Sequence, residues 1–132
     1  MSLHVDTASR LPIYQQLVQQ IREAIARGEL RPEAALPSVR QLSRDLVVNP
    51  NTVARAYTEL ERAGLLVSRP GRGIYVAQPR NDLTRSARDR RLTEQLDRWL
   101  TEAVHLGYSA AEVLELVAAR VRQFRFNAEG AA

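Results

Sequence analysis

The chain contains no cysteine and only two histidines, so it lacks several of the side chains with which enzymes and metalloproteins build their sites. Without cysteine there is no disulfide framework, no thiolate metal site and no thiol nucleophile. His4 and His105 lie far apart in the sequence, and neither has carboxylates at metal-ligand spacing around it. We therefore expect no metal, no cofactor and no catalytic residues, and we do not expect an enzyme.

Long hydrophobic runs are also missing. No apolar stretch approaches the roughly 18 residues that a membrane-spanning helix requires, and no signal-peptide pattern opens the chain. Apolar residues make up 45% and charged residues 26% of the 132 positions, which is typical of one ordinary globular domain, or of a small domain with an appendage. We expect a cytoplasmic protein without a membrane partner.

Lysine is absent as well, and all 19 basic residues are arginine, against 15 acidic residues and a net charge of +4. A guanidinium group grips a phosphate or a guanine edge at two points, which an ammonium group does not. Between residues 36 and 73 six arginines face three acids, so most of the excess charge lies in this segment. This distribution favours a polyanionic partner, although a biased genome composition would also remove lysine.

The first half of the chain predicts helices with clear start and stop signals. Pro12 opens the first helix and Gly28 ends it. The apolar face of this helix is formed by Ile13, Leu17, Ile21 and Ile25, at a four-residue step. Residues 29–37 carry two prolines and are predicted to form an extended connection. Ser38 then caps a short second helix, with Gln41 as its capping-box partner.

The stretch "LVVNPNTVARAY" predicts a third helix after a turn of about four residues. Asn49 is a favoured N-cap, and Pro50 suits the first helical position because its missing N–H would be unpaired there anyway. The apolar residues of the helix, Val53, Ala56 or Tyr57, Leu60 and Ala63, follow helical spacing, and Gly64 is expected to end it. Two short helices joined by a tight turn are typical of a helix-turn-helix.

Polar side chains crowd the start of the third helix. Asn49, Asn51, Thr52 and Arg55 can bond base edges and phosphates, and the helix N-terminus itself favours a phosphate. The same geometry also occurs in ordinary helical bundles, in which Asn-Pro-Asn would be a capped turn and nothing more. The motif alone leaves both interpretations open.

The next stretch, "LLVSRPGRGIYVAQ", predicts a β-hairpin around a Pro70-Gly71 turn, with Arg69 and Arg72 at its tip. A hairpin directly after a helix-turn-helix is a wing, and an arginine at its tip suits a narrow minor groove of enhanced negative potential. The alternative is a solvated hairpin with two ordinary surface charges. The order of the two elements favours the wing.

The span from Pro12 to Gln78 resembles the winged-helix domain of the GntR family of bacterial transcription regulators. The matching stretches are "PIYQQLVQQIREAIARGEL", "LPSVRQLSRDL", "NPNTVARAYTELERAGLL" and "SRPGRGIYV", and the short segment that follows is most similar to the YtrA-type branch. The resemblance implies a mainly α fold with a small β-hairpin wing, in which residues 1–78 form the winged helix-turn-helix. It also implies cytoplasmic dimers that bind near-palindromic operators in double-stranded DNA and usually repress transcription.

The resemblance implies that the arginine after "LPS" contacts DNA, that the front of the third helix reads the major groove and that the wing glycines enter the minor groove. The predicted DNA-binding residues are Ser38, Arg40, Asn49, Asn51, Thr52, Arg55, Arg69, Gly71, Arg72 and Gly73. Many members carry arginine where this chain has Pro50 and Ala54, so Arg55 is displaced by one position, about 100° around the helix. The connector reads Pro32-Glu33 in place of the usual proline-glycine, so its turn is expected to differ.

Residues 79–132 are predicted to form a helical dimerisation segment. A polar, arginine-rich stretch at residues 80–91 begins a helix that Gly107 ends, and Ser109 caps the next helix with Glu112 completing a capping box. A two-helix hairpin of this size is too small to bury both apolar faces, so a second copy is expected to cover them. The predicted dimer contacts are Leu92, Leu96, Trp99, Leu100, Ala103, Leu106, Leu114, Val117 and Val121. Two alternatives are a hairpin folded back on its own winged helix and a pocket for a small-molecule effector between the helices.

These patterns together predict a dimeric, sequence-specific repressor whose two recognition helices enter major grooves roughly 34 Å apart. The alternative is an adaptor whose winged helix binds a protein and whose C-terminal hairpin is the partner site. The two functions differ in salt dependence. A repressor's binding to a palindromic duplex should weaken steeply with ionic strength, because arginine–phosphate contacts release counterions.

Overall fold

The structure is a computed structural model that describes residues 2–79 and 83–126. The chain divides into two compact units, Met1–Arg80 and Asn81–Ala132, which we call the N-terminal unit and the C-terminal unit. Residues 80–82, predicted to begin the arginine-rich stretch, and residues 127–132 of the predicted dimerisation segment lie outside the described residues.

Three helices and a three-stranded antiparallel sheet make up the described part of the N-terminal unit. In chain order these elements are α1 (Ile13–Ala26), β1 (Ala35–Leu36), α2 (Val39–Leu46), α3 (Pro50–Arg62), β2 (Leu66–Arg69) and β3 (Gly73–Val76). β3 is the central strand, and its Tyr75 pairs with Ala35 on one side and with Val67 on the other. The three predicted helices and the hairpin are confirmed. The connection predicted as merely extended contains β1, so the wing is part of a larger sheet.

One apolar core holds the N-terminal unit together. The four-residue step in α1 places Leu17 and Ile21 on one face, and both are fully buried. The other core residues are Ala24, Leu30, Leu36, Leu42, Val53, Ala56, Tyr57, Leu60, Leu66 and Val76. Ala63 is exposed, because it is the C-cap of α3 and lies beyond the last core-facing residue, Leu60.

Tyr57 connects α3 to the start of α2. Its side chain is buried, and its hydroxyl donates a hydrogen bond of 2.8 Å to the carbonyl oxygen of Pro37, directly before the α2 cap. Burial raises the pKa of the Tyr57 hydroxyl, because the charged form would be desolvated, so the group stays protonated and able to donate. The two helices of the motif are therefore joined by a buried hydrogen bond as well as by packing.

The turn between α2 and α3 consists of Val47, Val48 and Asn49, one residue fewer than predicted. Val47 is left-handed, with φ 55° and ψ 51°. Its N–H donates to the carbonyl oxygen of Arg44 (3.3 Å), and the N–H of Val48 donates to that of Ser43 (3.0 Å). These two bonds form a Schellman motif, whose left-handed position is usually glycine. A β-branched residue is strained there, since its Cβ crowds the backbone.

The segment that precedes α1 is held by two glutamines of that helix. Gln20 exchanges two hydrogen bonds with the backbone of His4, at 3.1 and 2.8 Å. Gln16 exchanges two with the backbone of Asp6, both at 2.9 Å. Each side-chain amide thus makes the pair of hydrogen bonds that the backbone of a neighbouring strand would otherwise make. Leu3 and Val5 pack against the core, and no local sequence signal indicated this attachment.

In the C-terminal unit, α4 (Arg85–His105) and α5 (Ala110–Val121) form the predicted pair of helices. Thr84 caps α4, and Gly107 lies between the helices with φ 86°. The predicted capping box at the start of α5 is confirmed. Ser109 Oγ accepts from the N–H of Glu112 (3.1 Å), and Glu112 Oε1 accepts from the N–H of Ser109 (2.8 Å). The bond from the Ser109 N–H, followed by the interaction with the Ser109 side chain, lowers the pKa of Glu112, because both stabilise its carboxylate form.

Candidate DNA interface

The start of α3 is a polar helix N-terminus at the protein surface. Asn49 is the N-cap, and its Oδ1 accepts a 2.8 Å hydrogen bond from the N–H of Asn51. Pro50 occupies the first helical position, as predicted. Asn49, Asn51 and Arg55 are exposed, and Thr52 is half-buried. The first N–H groups of the helix and its partial positive charge lie at the same end, which suits a phosphate.

The guanidinium group of Arg55 lies over the aromatic ring of Tyr14, a residue of α1. The guanidinium carbon is 3.7 Å from the ring centroid, and Nη2 donates to the Tyr14 hydroxyl oxygen at 3.1 Å. Gln15 Nε2 donates to the same oxygen at 3.0 Å. The ring attracts the cation without neutralising it, so Arg55 keeps its charge and its other N–H groups. Tyr14 was not predicted, because nothing local relates it to a residue 41 positions away.

At the start of α2, Arg40 is exposed in the first helical turn. Ser38 caps the helix, and its Oγ accepts from the N–H of Gln41 at 3.0 Å. The predicted capping box is only half formed. Gln41 Nε2 donates to Asp45 Oδ1 at 2.8 Å, so the glutamine does not return to the cap. The Ser38 hydroxyl acts as a capping acceptor and retains its proton for a further acceptor.

The tip of the wing is a turn that requires glycine. Gly71 and Gly73 have φ values of 75° and 112°, which side-chain-bearing residues rarely adopt. The N–H of Arg72 donates to the carbonyl oxygen of Arg69 at 2.8 Å, and the Tyr75 hydroxyl donates to the carbonyl oxygen of Arg72 at 2.8 Å. Arg72 is exposed between the two glycines. The tip is therefore narrow, and it presents one guanidinium group.

Arg69 borders the tip as the first residue of the wing turn, but its side chain has different contacts from that of Arg72. It is the last residue of β2, and its side chain forms an ion pair with Glu33. Its guanidinium carbon is 4.8 Å from the centroid of the Tyr75 ring. Glu33 also accepts a hydrogen bond from Gln78 Nε2 at 3.2 Å. The bonds from Arg69 and Gln78 lower the pKa of Glu33.

The turn at Pro32-Glu33 was predicted to differ from the usual proline-glycine turn, and the structure shows which backbone conformation Glu33 adopts there. Glu33 adopts the left-handed conformation, with φ 70°, where glycine would be the usual residue. Its N–H donates to the carbonyl oxygen of Val76 at 2.9 Å, two residues before β1 begins. The substituted residue therefore keeps a glycine-like backbone and adds a carboxylate beside the wing.

The C-terminal unit leaves most of its apolar side chains uncovered. Among residues 83–126, Ala103 is the only buried apolar side chain, at 9% exposure. Of the predicted dimer contacts, those that are exposed are Leu92, Leu96, Trp99, Leu106, Leu114, Val117 and Val121, and Leu100 is half-buried. Ala103 is buried within the single chain, and its predicted dimer contact stays a prediction. The exposed set lies on both helices.

Two concave features lie on this helix pair. The first, of about 90 Å³, is lined by residues that include Ala103, Tyr108 and Val113. It is smaller than the roughly 300–1,000 Å³ of ordinary ligand pockets. The second is an open groove of about 420 Å³ lined by Leu96, Trp99, Leu116, Val117, Arg120, Val121, Phe124 and Phe126. A large apolar groove of this kind is typical of a surface that binds protein.

Neither a metal centre nor a membrane segment is evident in the described ranges. Within residues 2–79 and 83–126, no three His, Cys, Asp or Glu side chains are grouped so that they could hold a metal ion. Within the same ranges, no helix combines the length and the apolar character that crossing a bilayer demands. The polar front of α3, Arg40 and the wing tip are thus the features that remain to be explained by function.

Comparison with known proteins gives these features a context. Residues 13–76 match the bacterial regulatory proteins of the gntR family. The chain is 34% identical to the HTH-type transcriptional repressor YtrA of Bacillus subtilis (strain 168) over 115 residues, which are 87% of this chain and 88% of YtrA. A crystal structure of a transcriptional antiterminator from Listeria monocytogenes EGD-e is similar over 98% of both chains, with 30% identity and a TM-score of 0.77.

The DNA-binding domain of AraR, crystallised in complex with the operator ORX1, is also similar. It is 29% identical, with a TM-score of 0.53, over 58% of this chain and 99% of that one. The predicted resemblance is confirmed by the family match and by the relative that spans most of the chain. The family is one of transcription regulators, which are not enzymes. The chain belongs to the gntR family of bacterial regulatory proteins, and it is a DNA-binding transcription regulator.

Proposed function

We propose that the protein is a dimeric, sequence-specific repressor that acts in the cytoplasm by binding a near-palindromic operator and occluding the promoter. Residues 1–78 bind DNA and residues 79–132 dimerise, and the protein acts by binding alone, without catalysis. The observation that carries the proposal is the exposed polar start of α3 in the same unit as the accessible guanidinium groups of Arg40 and Arg72. That combination supports contact with both bases and phosphates.

In this proposal α3 enters the major groove with its N-terminal residues against the base edges. Asn51 reads a base, because its side-chain amide has no partner among the described residues and can pair with adenine N6 and N7. Asn49 plays a different part, since its Oδ1 is engaged in the cap and only its NH₂ group remains for a phosphate or base acceptor. Arg55 reaches a base or phosphate from its position on the Tyr14 ring.

The phosphate contacts come from α2 and the wing. Arg40 lies in the first turn of α2 and neutralises a backbone phosphate, which fixes the register of the unit on the duplex. Arg72 and the flanking glycines enter the minor groove, where a narrow groove concentrates negative potential. These contacts make the affinity salt-dependent but add little sequence choice.

The dimer is supported by the uncovered apolar surface of the C-terminal unit. Twelve of the fourteen large exposed apolar side chains in residues 2–79 and 83–126 belong to this unit. Leu114 is 70% exposed and Leu92 is 66% exposed, which a monomer in water would not favour. A second copy related by a two-fold axis covers the same surface on both partners, and it doubles the number of DNA half-sites.

Sequencing of DNA fragments bound by the purified full chain tests the DNA half of the proposal. We expect an inverted repeat whose half-sites are centred about one helical turn apart. Footprinting on the enriched fragment should show protection over both half-sites and over a promoter element. Enrichment of a single, non-repeated site, or no enrichment at all, would contradict the proposed operator.

Light scattering coupled to size-exclusion chromatography tests the dimer. Leu114→Asp places a charge on the exposed apolar face of α5 and should yield monomers that bind the operator far more weakly. Ala119→Asp is the matched control, because residue 119 is exposed and lies on the opposite side of the same helix. A wild-type chain that is monomeric at micromolar concentration would overturn the proposal.

A further inference from the structure

Two non-glycine residues in the described ranges have positive φ, and Glu33 is one of them. A glutamate gains little locally in that conformation, unlike asparagine or aspartate, which can bond their own backbone. Glycine would adopt it without strain. The backbone cost of Glu33 therefore points to a role for its side chain.

That side chain holds Arg69 back from the wing tip. The Glu33 carboxylate pairs with Arg69 Nη2 and accepts a second bond from Gln78. Because side chains alternate along β2 and β3, Arg69 and Tyr75 lie on the sheet face opposite the buried Leu66 and Val76. Arg69 is thus folded along the outer face of the wing, with its charge compensated.

The ion pair is accessible to a competing anion. The side chains of Arg69 and Glu33 are 40% and 43% exposed. Exposed ion pairs contribute little stability and are screened by salt, so the pair can open at small cost. A DNA phosphate that approaches the wing would compete with the Glu33 carboxylate for the same guanidinium group. Arg72, by contrast, is exposed with no acid paired to its side chain within the described residues.

We propose that Glu33 is a specificity-determining residue, whose carboxylate competes with DNA phosphate for Arg69 and so limits sequence-independent binding. The inference rests on the proposed function, since it requires a wing that meets DNA. Non-specific affinity grows with the number of phosphates neutralised, and each contact steepens the slope of log K against log salt by about 0.9. At about 0.15 M salt, a slope steeper by that amount corresponds to a non-specific affinity about fivefold higher per wing.

The test measures binding of the full chain to a duplex of about 30 base pairs with a random sequence, by fluorescence anisotropy between about 50 and 200 mM salt. Glu33→Gln removes the charge, because it replaces the carboxylate with an amide of the same shape. Glu29→Gln is the matched control, because residue 29 is an exposed acid with no ion pair among the described residues. The same pair of variants is measured again in an Arg69→Gln background. Thermal unfolding of each variant checks that the wing remains folded.

We expect Glu33→Gln to bind the random duplex about fivefold more tightly per wing, with a slope steeper by about 0.9. Glu29→Gln should show neither effect, and Arg69→Gln should abolish the gain from Glu33→Gln. The inference would be overturned if Glu33→Gln bound the random duplex no more tightly than the wild type. It would also be overturned if Glu29→Gln gained as much affinity, or if the gain in affinity persisted in the Arg69→Gln background. A wild-type chain without salt-dependent duplex binding would instead overturn the proposed function, and the inference with it.

Discussion

Replacing Val47 by glycine should stabilise the N-terminal unit, although valine is the larger and more apolar residue. Val47 occupies the left-handed position of the Schellman motif that ends α2. Its side chain is 89% exposed, so the substitution removes almost no buried apolar surface. What the substitution does remove is the crowding between Cβ and the backbone.

The net effect follows from two opposing terms. A left-handed non-glycine residue costs about 1–2 kcal/mol, which glycine recovers. Glycine also adds about 0.4–1 kcal/mol of conformational freedom to the unfolded chain, which opposes folding. With the middle of each range, about 1.5 and 0.7 kcal/mol, the difference is a stabilisation of about 0.8 kcal/mol. For a unit of this size that corresponds to a rise in Tm of roughly 3–6 °C.

Differential scanning calorimetry of the full chain measures this shift, in the transition of the N-terminal unit. Val48→Gly is the matched control, because Val48 packs against the core and its φ is negative. That variant should lower the Tm, since it loses burial and gains unfolded-state entropy. A Val47→Gly variant that melts at or below the wild-type temperature would refute the strain assigned to this turn.

Three further predictions concern the site and the C-terminal unit. Arg72→Gln should reduce the slope of log K against log salt for duplex binding by about 0.9 per wing. Arg22→Gln, a change at an exposed residue of α1, should leave this slope unaltered. A slope for Arg72→Gln equal to that of the wild type would contradict a contact between Arg72 and DNA. Tyr14→Leu should weaken DNA binding about two- to fivefold because it releases the stacked guanidinium group of Arg55, and Tyr14→Phe should retain most of the affinity in the same titration. Tighter binding by Tyr14→Leu would mean that the stack competes with DNA. The pKa of Glu112 is lowered on folding, so its contribution to stability is complete above its ordinary value of 4.5 and is lost as the pH falls below it. Acid titration followed by circular dichroism should show a smaller acid-induced loss of helix for Glu112→Gln, and identical profiles would contradict this assignment.

Helix starts and stops were predictable because their causes are local. Proline lacks an N–H and fits the first turn, so Pro50 marked the start of α3. Serine and asparagine caps, at Ser38, Asn49 and Ser109, bond backbone groups only two or three residues away. Gly64 and Gly107 take the positive φ that ends a helix. Each of these signals acts within one turn of the chain.

The missed features depend on which of several possible partners a group meets in the folded chain. β1 is two residues long, and it forms because the edge of β3 offers hydrogen-bond partners some 40 positions further along. The half-formed box at Ser38 arose because Gln41 found Asp45 as an alternative partner on the helix surface. The predicted dimer contact of Ala103 rests on periodicity, which shows which residues share a face but does not show which copy covers that face.

The candidate site divides along the same line. Its composition was predictable, since polar residues at a helix N-terminus and glycines around a wing arginine are local patterns that favour phosphates and base edges. The contacts that its arginine side chains make were not predictable from the sequence. Arg55 and Arg69 look equivalent in sequence, but the fold places Tyr14 beneath one and Glu33 beside the other. The charge of Arg69 is compensated by Glu33, whereas Arg55 has no ion pair with an acid among the described residues.

By itself, the sequence determined where the helices begin and end, which faces are apolar and which end of α3 is polar, because backbone geometry and side-chain periodicity act over a few residues. Only the tertiary structure decided that Glu33 meets Arg69, that Tyr14 supports Arg55 and that Val47 carries strain. These outcomes depend on distances across the folded chain and on the backbone angles that packing imposes. Local pattern contains neither.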